Sequence, residues 1–143
     1  MPVPVPVTVT LGRALLTPTR IYARQVLPLP RGVKAMAHIT GGGIVENVPR
    51  VLPAGLGCVV DVARWTLPPL FSFVMREGGV APAEMARTFN MGIGMVLVVD
   101  RELVSETVDA LKKRGEADVF EIGEIVAGTG VELLNLHAWQ HSG

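Results

Sequence analysis

AMAHITGGGIVENVPR, residues 35–50, joins an apolar segment to a polar one through three consecutive glycines, and this junction decides the fold. Before the glycines the side chains alternate, with Met36, His38 and Thr40 on one face and with alanines and an isoleucine on the other. A period of two residues is typical of a half-buried strand. We therefore predict a strand over residues 35–40, whose small side chains pack closely beneath another element.

The segment after the glycines has the spacing of a helix. Its apolar residues Val45, Val48 and Leu52 are three and then four residues apart, which places them on one helical face. Pro49 interrupts this pattern, because a proline inside a helix removes a hydrogen bond and costs about 3 kcal/mol. We expect a short helix that either ends near Val48 or kinks there.

The three glycines between strand and helix need a physical reason. Glycine costs roughly 0.5–1 kcal/mol relative to alanine inside regular structure, so consecutive glycines favour a site where the backbone approaches another group closely. A glycine turn between a strand and a helix can direct N–H groups at one point, where the helix dipole adds about half a positive charge. This arrangement suits a phosphate, although the spacing is neither a Walker motif nor G-x-G-x-x-G. The alternative is a tight turn without a ligand.

Strand and helix patterns alternate along the rest of the chain. The run MVLVV at residues 95–99 is apolar throughout, which predicts a fully buried strand. Because two helices separate the second and third strands, the predicted class is α/β (α+β), a mixed sheet with helices packed on it. Further strands are predicted at 56–62 and 119–126, and helices at 23–29, 68–76, 82–87 and 105–113.

The composition predicts one globular domain that binds neither nucleic acid nor a membrane. A chain of 143 residues with 49% hydrophobic content can bury one core. Its 13 basic residues balance 13 acidic ones, so no overall field attracts nucleic acid, and no apolar run approaches the roughly 20 residues of a membrane helix. A single cysteine, Cys58, and no signal-like amino terminus point to a reducing interior, which we expect to be cytoplasmic.

His38 has a functional and a structural interpretation. It lies two residues before Thr40 on the same face, so its imidazole could contact whatever the glycine turn holds, and imidazole exchanges protons near neutral pH. The structural alternative is a buried histidine that bonds to a backbone carbonyl. We predict no metal site, because His137 and His141 stand at no ligand spacing from it.

Two other segments leave alternatives open. Residues 89–94 form a second glycine-bearing loop, in which Asn90 can both donate and accept hydrogen bonds, and this loop is either part of a site or a turn closed by a hydrophobic plug. Cys58 is either a small buried hydrophobe within a strand or a nucleophile.

Several strings together resemble one enzyme family. The strings TPTRIY, AHITGGGIVENVPRVLP, EMARTFNMGIGMVLVV and IGEIV begin at Thr17, Ala37, Glu84 and Ile122. In this order they closely resemble the carboxyl-terminal domain of aminoimidazole ribonucleotide (AIR) synthetase, which is also called phosphoribosylformylglycinamidine cyclo-ligase. The resemblance covers residues 11–128. It leaves residues 1–10 as a Pro/Val-rich extended arm and residues 129–143 as an unmatched tail.

The resemblance implies a reaction of purine biosynthesis. The family uses ATP and Mg²⁺ to close the imidazole ring of formylglycinamidine ribonucleotide, which yields aminoimidazole ribonucleotide, ADP and phosphate. ATP phosphorylates the formamide oxygen, and the neighbouring nitrogen then attacks that carbon. Such chemistry depends on positioning and on stabilisation of the transferring phosphoryl charge.

The resemblance also implies a set of site residues. His38 would be the catalytic residue, and the guanidinium groups of Arg20 and Arg50 suit the ribose phosphate, which arginine binds in a bidentate manner. The implied substrate-binding residues are Thr19, Arg20, Thr40, Gly41, Gly42, Gly43, Asn47, Arg50 and Asn90.

One departure from the family limits what this chain is expected to do alone. Family members carry an amino-terminal domain of about equal size, which supplies most ATP and Mg²⁺ ligands and the main dimer interface, and this sequence lacks it. We expect no ring closure unless that ATP-binding half is supplied in trans. The alternative is a non-catalytic module that binds a ribonucleotide or a protein partner. A face that the missing half would cover could also drive formation of a homodimer.

Overall fold

The structure, a computed structural model, describes residues 9–29 and 32–141. Most of the expected arm at residues 1–10 therefore lies outside the described residues. Within them the chain forms five strands: β1 (Val33–His38), β2 (Leu56–Asp61), β3 (Met95–Val99), β4 (Gly123–Ala127) and β5 (Val131–Leu134). The same residues form six α-helices: α1 (Leu11–Leu15), α2 (Ala23–Val26), α3 (Gly43–Asn47), α4 (Pro69–Gly78), α5 (Pro82–Thr88) and α6 (Val104–Lys113).

The strands form two sheets. In the first, β1 and β3 run antiparallel, with His38 opposite Met95. In the second, β2 lies in the centre and pairs antiparallel with β4 and parallel with β5, so this sheet is mixed. The predicted α+β class with a mixed sheet and packed helices is confirmed. Its division into two sheets was not predicted, because strand pairing depends on tertiary packing more than on local pattern.

The junction at residues 35–50 contains the predicted strand and helix, although β1 begins and ends two residues earlier than the predicted 35–40. Along β1 the alternation holds, with Ala37 buried and Met36 and His38 exposed. Helix α3 ends at Asn47, and Pro49 begins a 3-10 turn, so the chain adopts the short helix rather than the kinked one.

Three strands differ from expectation. Strand β3 was predicted to be fully buried, and this is wrong, because all five of its residues are only half-buried. Strand β4 begins at Gly123, four residues later than predicted, where a Cβ would overlap the carbonyl oxygen of Val59 on the neighbouring strand. Strand β5, which pairs with β2 at Cys58–Asp61, was not predicted at all.

The core is built from β1, β2, α3, α5 and the C-terminal 3-10 helix at Leu136–His141. Both tryptophans are packing residues of this core. Trp65 Nε1 donates to the carbonyl of Met91 at 3.0 Å, and the Trp65 and Trp139 rings meet edge to face with their centroids 5.8 Å apart. This core fixes the positions of α3 and α5, which carry the candidate site. None of the helices in the described part of the chain is both long and apolar enough to cross a membrane.

The carboxylate of Asp61, at the end of β2, is held in its ionised form by hydrogen bonds. Its carboxylate accepts hydrogen bonds from Asn135 Nδ2 at 2.8 Å and from the Ala63 N–H at 3.0 Å, and these bonds lower the pKa of the Asp61 carboxyl. A lowered pKa in the folded state means that the ionised carboxylate stabilises the fold above its unfolded pKa of about 3.9. That contribution is lost as the pH falls through the lower folded pKa.

We expect Asn135→Gly to raise the pKa of Asp61 towards its ordinary value, because the strongest hydrogen bond to the carboxylate is removed. Glycine is the suitable replacement, since Asn135 has a φ of 61° and a larger residue would add strain. An NMR titration of the Asp61 carboxyl carbon in both proteins measures the shift. An unchanged pKa in Asn135→Gly would contradict the assigned cause.

Candidate functional site

The glycine turn between β1 and α3 has a closed hydrogen-bonding pattern. The N–H of Ile39 donates to the carbonyl of Gly94 at 2.9 Å, which extends the pairing of β1 with β3 by one residue. The N–H of Gly43 donates to the carbonyl of Thr40 at 3.0 Å and closes the turn. Gly42 and Gly43 have φ angles of 96° and 58°, a region that favours glycine.

Close approach of the backbone explains Gly43 but not Gly41. A Cβ on Gly43 would overlap the carbonyl oxygen of Ala86 and lie 2.8 Å from that of Phe89, both at helix α5. A Cβ on Gly41 would meet nothing within 4 Å. The group that Gly43 approaches is therefore α5, whereas the surface at Gly41 is open.

Asn47 holds the turn in this shape. Its side-chain amide lies at the carboxyl end of α3, is buried, and donates from Nδ2 to the carbonyls of Thr40, Gly41 and Gly43 at 3.3, 3.1 and 2.8 Å. In the described residues the N–H groups of Gly41 and Gly42 have no protein acceptor. The carbonyls of the turn are thus satisfied within the protein, and the N–H groups of Gly41 and Gly42 are among those that remain for another molecule.

Arg50 and Glu46 set the charge beside the turn. Arg50 Nη1 donates to Asn47 Oδ1 at 3.2 Å, and Arg50 Nη2 lies 3.4 Å from Glu46 Oε2 on an exposed helical turn. Exposed ion pairs of this kind contribute about 1 kcal/mol or less. Glu46 also lies next to Gly42, so its charge opposes an anion at the turn unless Arg50 neutralises it.

His38 is exposed at the end of β1, so the alternative of a buried histidine is wrong. Its ring meets the ring of Tyr22 edge to face, with the centroids 6.2 Å apart. The guanidinium of Arg20 lies over the same Tyr22 ring, 5.9 Å from its centroid. Burial raises the pKa of the Tyr22 hydroxyl, and this hydroxyl occupies the space that a Cβ on Gly94 would need. No pattern in the sequence indicates this role for Tyr22.

Arg20 is held by a buried carboxylate. Arg20 Nη2 lies 2.8 Å from Glu116 Oε1, and the side chain of Glu116 is only 8% exposed. A buried carboxylate requires such a partner because of its desolvation cost. Sequence reasoning missed Glu116, which follows α6 and lies 96 residues from Arg20 with no local motif to mark it. Thr19 is exposed beside Arg20.

The second loop packs against the first. Asn90 Oδ1 accepts a hydrogen bond from the N–H of Gly92 at 2.9 Å, which forms a side-chain turn, and Met91 is 1% exposed as a hydrophobic plug. Asn90 follows Phe89, whose carbonyl faces Gly43. Asn90 is therefore near the glycine turn, and its oxygen is already engaged.

The described residues support neither a metal site nor a nucleophilic cysteine. In the described part of the chain, no group of three or more His, Cys, Asp or Glu side chains could hold a metal ion. Cys58 is buried in β2, and burial raises the pKa of its thiol, which disfavours the reactive thiolate.

Together the predicted residues form an open shelf rather than an enclosed pocket. We use the name open shelf for the surface formed by the exposed residues His38, Thr40, Gly41 and Arg50 and by the half-buried Gly42. Arg20 adjoins it through the Tyr22 ring, and Asn47 supports it from beneath. A cavity of about 460 Å³ lies elsewhere, and of the predicted site residues, all of which the structure describes, only Arg20 lines it. The open shelf can bind an anion on one side only.

Known proteins have similar sequences and a similar fold. The family model described as AIR synthase related protein, C-terminal domain, matches residues 3–134. The chain is 49% identical over 124 residues to the chloroplastic phosphoribosylformylglycinamidine cyclo-ligase of Arabidopsis thaliana, and this match covers 85% of the chain. Two crystal structures of HypE from E. coli, a hydrogenase maturation protein, match 80% of the chain with a TM-score of 0.60 and 25% identity.

The chain spans about a third of the length of these relatives. The matched region is 32% of the Arabidopsis cyclo-ligase and 34% of the HypE chain.

The two outer glycines of the turn provide a matched pair of variants. We expect Gly43→Ala to lower the free energy of unfolding by at least about 2 kcal/mol, because a left-handed alanine costs roughly 1–2 kcal/mol and its Cβ would overlap Ala86. Gly41→Ala should change it by less than about 1 kcal/mol, because its Cβ enters open space. Urea denaturation of both variants measures the difference. Equal losses in the two variants would contradict the packing of Gly43 against α5.

Proposed function

The chain belongs to the AIR synthase related family, whose C-terminal domain it represents, and on that premise we propose that it is the C-terminal half of an ATP-dependent phosphoribosylformylglycinamidine cyclo-ligase. Such a ligase of purine biosynthesis converts formylglycinamidine ribonucleotide to aminoimidazole ribonucleotide. The observation that carries the proposal is the 49% identity to the Arabidopsis cyclo-ligase across 85% of this chain.

The open shelf supports binding of the ribonucleotide phosphate. Gly41 and Gly42 offer two N–H donors without protein acceptors in the described residues, and Arg50 offers a guanidinium beside them. Donors of both kinds bind phosphate oxygens strongly when the acceptor is charged. Arg20, fixed by Glu116, adds a second guanidinium on the side of His38.

Within this proposal the residues of the chain bind and orient the substrate. The turn amides and the arginines hold the phosphate, and this fixes the distance between the formamide group and the rest of the site. His38 is exposed and reaches the same surface, so its imidazole can donate or accept a proton at the reacting formamide or amidine. Thr40 is part of this surface, and Thr19 and Asn90 border it as further polar contacts.

ATP and Mg²⁺ belong to the other half of the proposed enzyme. Mg²⁺ prefers carboxylate oxygens, and the described residues contain no cluster of three His, Cys, Asp or Glu side chains. When bound, ATP would supply the phosphoryl group that activates the formamide oxygen. We propose that the Mg²⁺ ligands lie on that other half.

The surface near the amino terminus supports a partner domain. Helices α1 and α2 bury none of their residues, and the exposed fractions of Leu16, Ile21 and Leu27 are 83%, 81% and 80%. Three large apolar side chains exposed within one short segment favour an interaction site there. We propose that an amino-terminal ATP-binding half covers it, whether that half is on the same polypeptide or is supplied in trans. Pairing of two copies into a homodimer is the competing use of this surface.

A second candidate function is a non-catalytic module that binds a ribonucleotide or a protein partner. The observation in its favour is that the glycine turn, with the unpaired N–H groups of Gly41 and Gly42, lies wholly within this chain. The compartment remains a proposal as well: the single cysteine favours a reducing one such as the cytoplasm, and the Arabidopsis relative is chloroplastic.

Mixing the two halves tests the catalytic proposal. We expect ADP release when this chain is combined with the amino-terminal region of the Arabidopsis cyclo-ligase, formylglycinamidine ribonucleotide, ATP and Mg²⁺, and none with either half alone. The reason is that the open shelf and the ATP site would lie on different halves. A coupled assay for ADP measures the turnover. If the mixture is inactive while the chain binds the ribonucleotide, the module function is supported and the catalytic proposal is contradicted.

The site residues can be tested through binding alone. We expect His38→Ala and Arg50→Ala each to weaken binding of formylglycinamidine ribonucleotide at least tenfold while the Tm changes by only a few degrees, because exposed side chains contribute about 0.5 kcal/mol or less to stability. Calorimetric titration and thermal unfolding provide the two readouts. Arg76→Ala is the matched control, since Arg76 and Arg50 are both 63% exposed and each pairs with one glutamate. Equal effects of Arg50→Ala and Arg76→Ala would exclude a specific role for Arg50.

A further inference from the structure

The ring of Tyr22 contacts two groups of the candidate site at once. The guanidinium carbon of Arg20 lies 5.9 Å from the ring centroid, and the ring of His38 meets it edge to face with the centroids 6.2 Å apart. Both distances are within the range of attractive contacts with an aromatic ring. The two side chains assigned to the phosphate and to proton transfer therefore share one aromatic neighbour.

Tyr22 is itself fixed at both ends. Its carbonyl accepts hydrogen bonds from the N–H groups of Gln25 and Val26 at 3.1 and 3.0 Å, where helix α2 begins. Its hydroxyl occupies the space beside Gly94 that a Cβ would need. The carbonyl of Gly94 accepts from the N–H of Ile39, so the ring lies where the pairing of β1 with β3 ends. A glycine at position 94 thus leaves room for the tyrosine.

Arg20 is held from two directions, by the Tyr22 ring and by the carboxylate of Glu116. Arg20 Nη2 lies 2.8 Å from Glu116 Oε1, and the Arg20 side chain is still 53% exposed. Among the described residues its Nε and Nη1 groups have no acceptor, so these donors are available to a ligand. A side chain that is already oriented loses less conformational freedom when it binds.

We propose that Tyr22 is a positioning residue, whose ring sets the directions in which Arg20 and His38 meet a bound ribonucleotide. This inference rests on the proposed function of the open shelf. On an open surface no pocket wall orients the site groups, so their directions depend on their immediate neighbours. Tyr22 acts through these two side chains and needs no contact with the ligand. Gly94 belongs to the same arrangement, because it accommodates the hydroxyl.

The competing role of Tyr22 is purely structural. In that case the ring only fastens residues 17–29 to the end of the first sheet. Loss of the ring would then lower the Tm and leave the affinity of the folded protein unchanged. A positioning residue instead changes the affinity of protein that is fully folded, and a variant that restores the ring position restores the affinity.

Replacement of the ring is the first test. We expect Tyr22→Leu to weaken binding of formylglycinamidine ribonucleotide at least fivefold, and Tyr22→Phe, which retains the ring, to weaken it less than twofold. Phe73→Leu is the matched control, since Phe73 is an aromatic residue of α4 that is 37% exposed, and it should leave binding unchanged. Calorimetric titration measures the affinities, and circular dichroism verifies folding.

Displacement of the ring is the second test, and it decides if Tyr22→Leu does not fold. Gly94→Ala should weaken ribonucleotide binding at least threefold, because the new Cβ would overlap the Tyr22 hydroxyl. Adding Tyr22→Phe to Gly94→Ala should restore part of the affinity, since the overlapping oxygen is removed. The recovery is partial because the ring carbon Cζ would still lie 2.9 Å from the Cβ.

NMR of the ligand-free chain separates failure of this inference from failure of the proposed function. Tyr22→Leu should shift the imidazole proton signals of His38, which lie beside the ring, and Tyr22→Phe should leave them nearly unchanged. If the unaltered chain does not bind the ribonucleotide, the proposed function is contradicted, and the His38 signals still test the positioning. The inference is overturned if these signals do not move in Tyr22→Leu. It is also overturned if the chain binds and a folded Tyr22→Leu binds equally tightly, or if Tyr22→Phe restores no affinity to Gly94→Ala.

Discussion

The side-chain amide of Asn47 is the interaction on which the candidate site depends. By donating to the carbonyls of Thr40, Gly41 and Gly43, it turns three backbone acceptors towards one buried group. The N–H of Gly43 is used inside the turn, and contact with α5 excludes a side chain at this position. The adjacent N–H groups of Gly41 and Gly42 remain as donors for another molecule. The site is thus built from backbone and made rigid by one side chain.

Two arginines and two glutamates set the charge around the turn. Glu46 lies close enough to Gly42 to repel an anion. Arg50 pairs with Glu46 and also donates a hydrogen bond to Asn47, the side chain that holds the turn. On the other side, Glu116 fixes Arg20 against Tyr22, whose ring meets His38. The region that matches is about a third of the length of the relatives.

The sequence predicts the local features of this site well and its long-range contacts poorly. The alternation of β1 predicts that Met36 and His38 share one face, Pro49 predicts that the helix ends or kinks near Val48, and the motifs predict the family, which is confirmed. The partner of Gly43 lies more than 40 residues away on α5, and that of Arg20 lies 96 residues away, so no local pattern could indicate either. The half-burial of β3 could not be predicted for a similar reason, because an apolar run predicts burial but not whether the opposing surface fills the space.

The central claim is that Gly41 and Gly42 donate their amides to a phosphate while Gly43 does not. Titration of ¹⁵N-labelled chain with formylglycinamidine ribonucleotide, followed through the backbone amide signals, measures this directly. The account predicts saturable downfield proton shifts at Gly41 and Gly42, with a much smaller shift at Gly43, whose N–H already donates to Thr40. Shifts confined to other regions, or shifts of equal size at all three glycines, would contradict it.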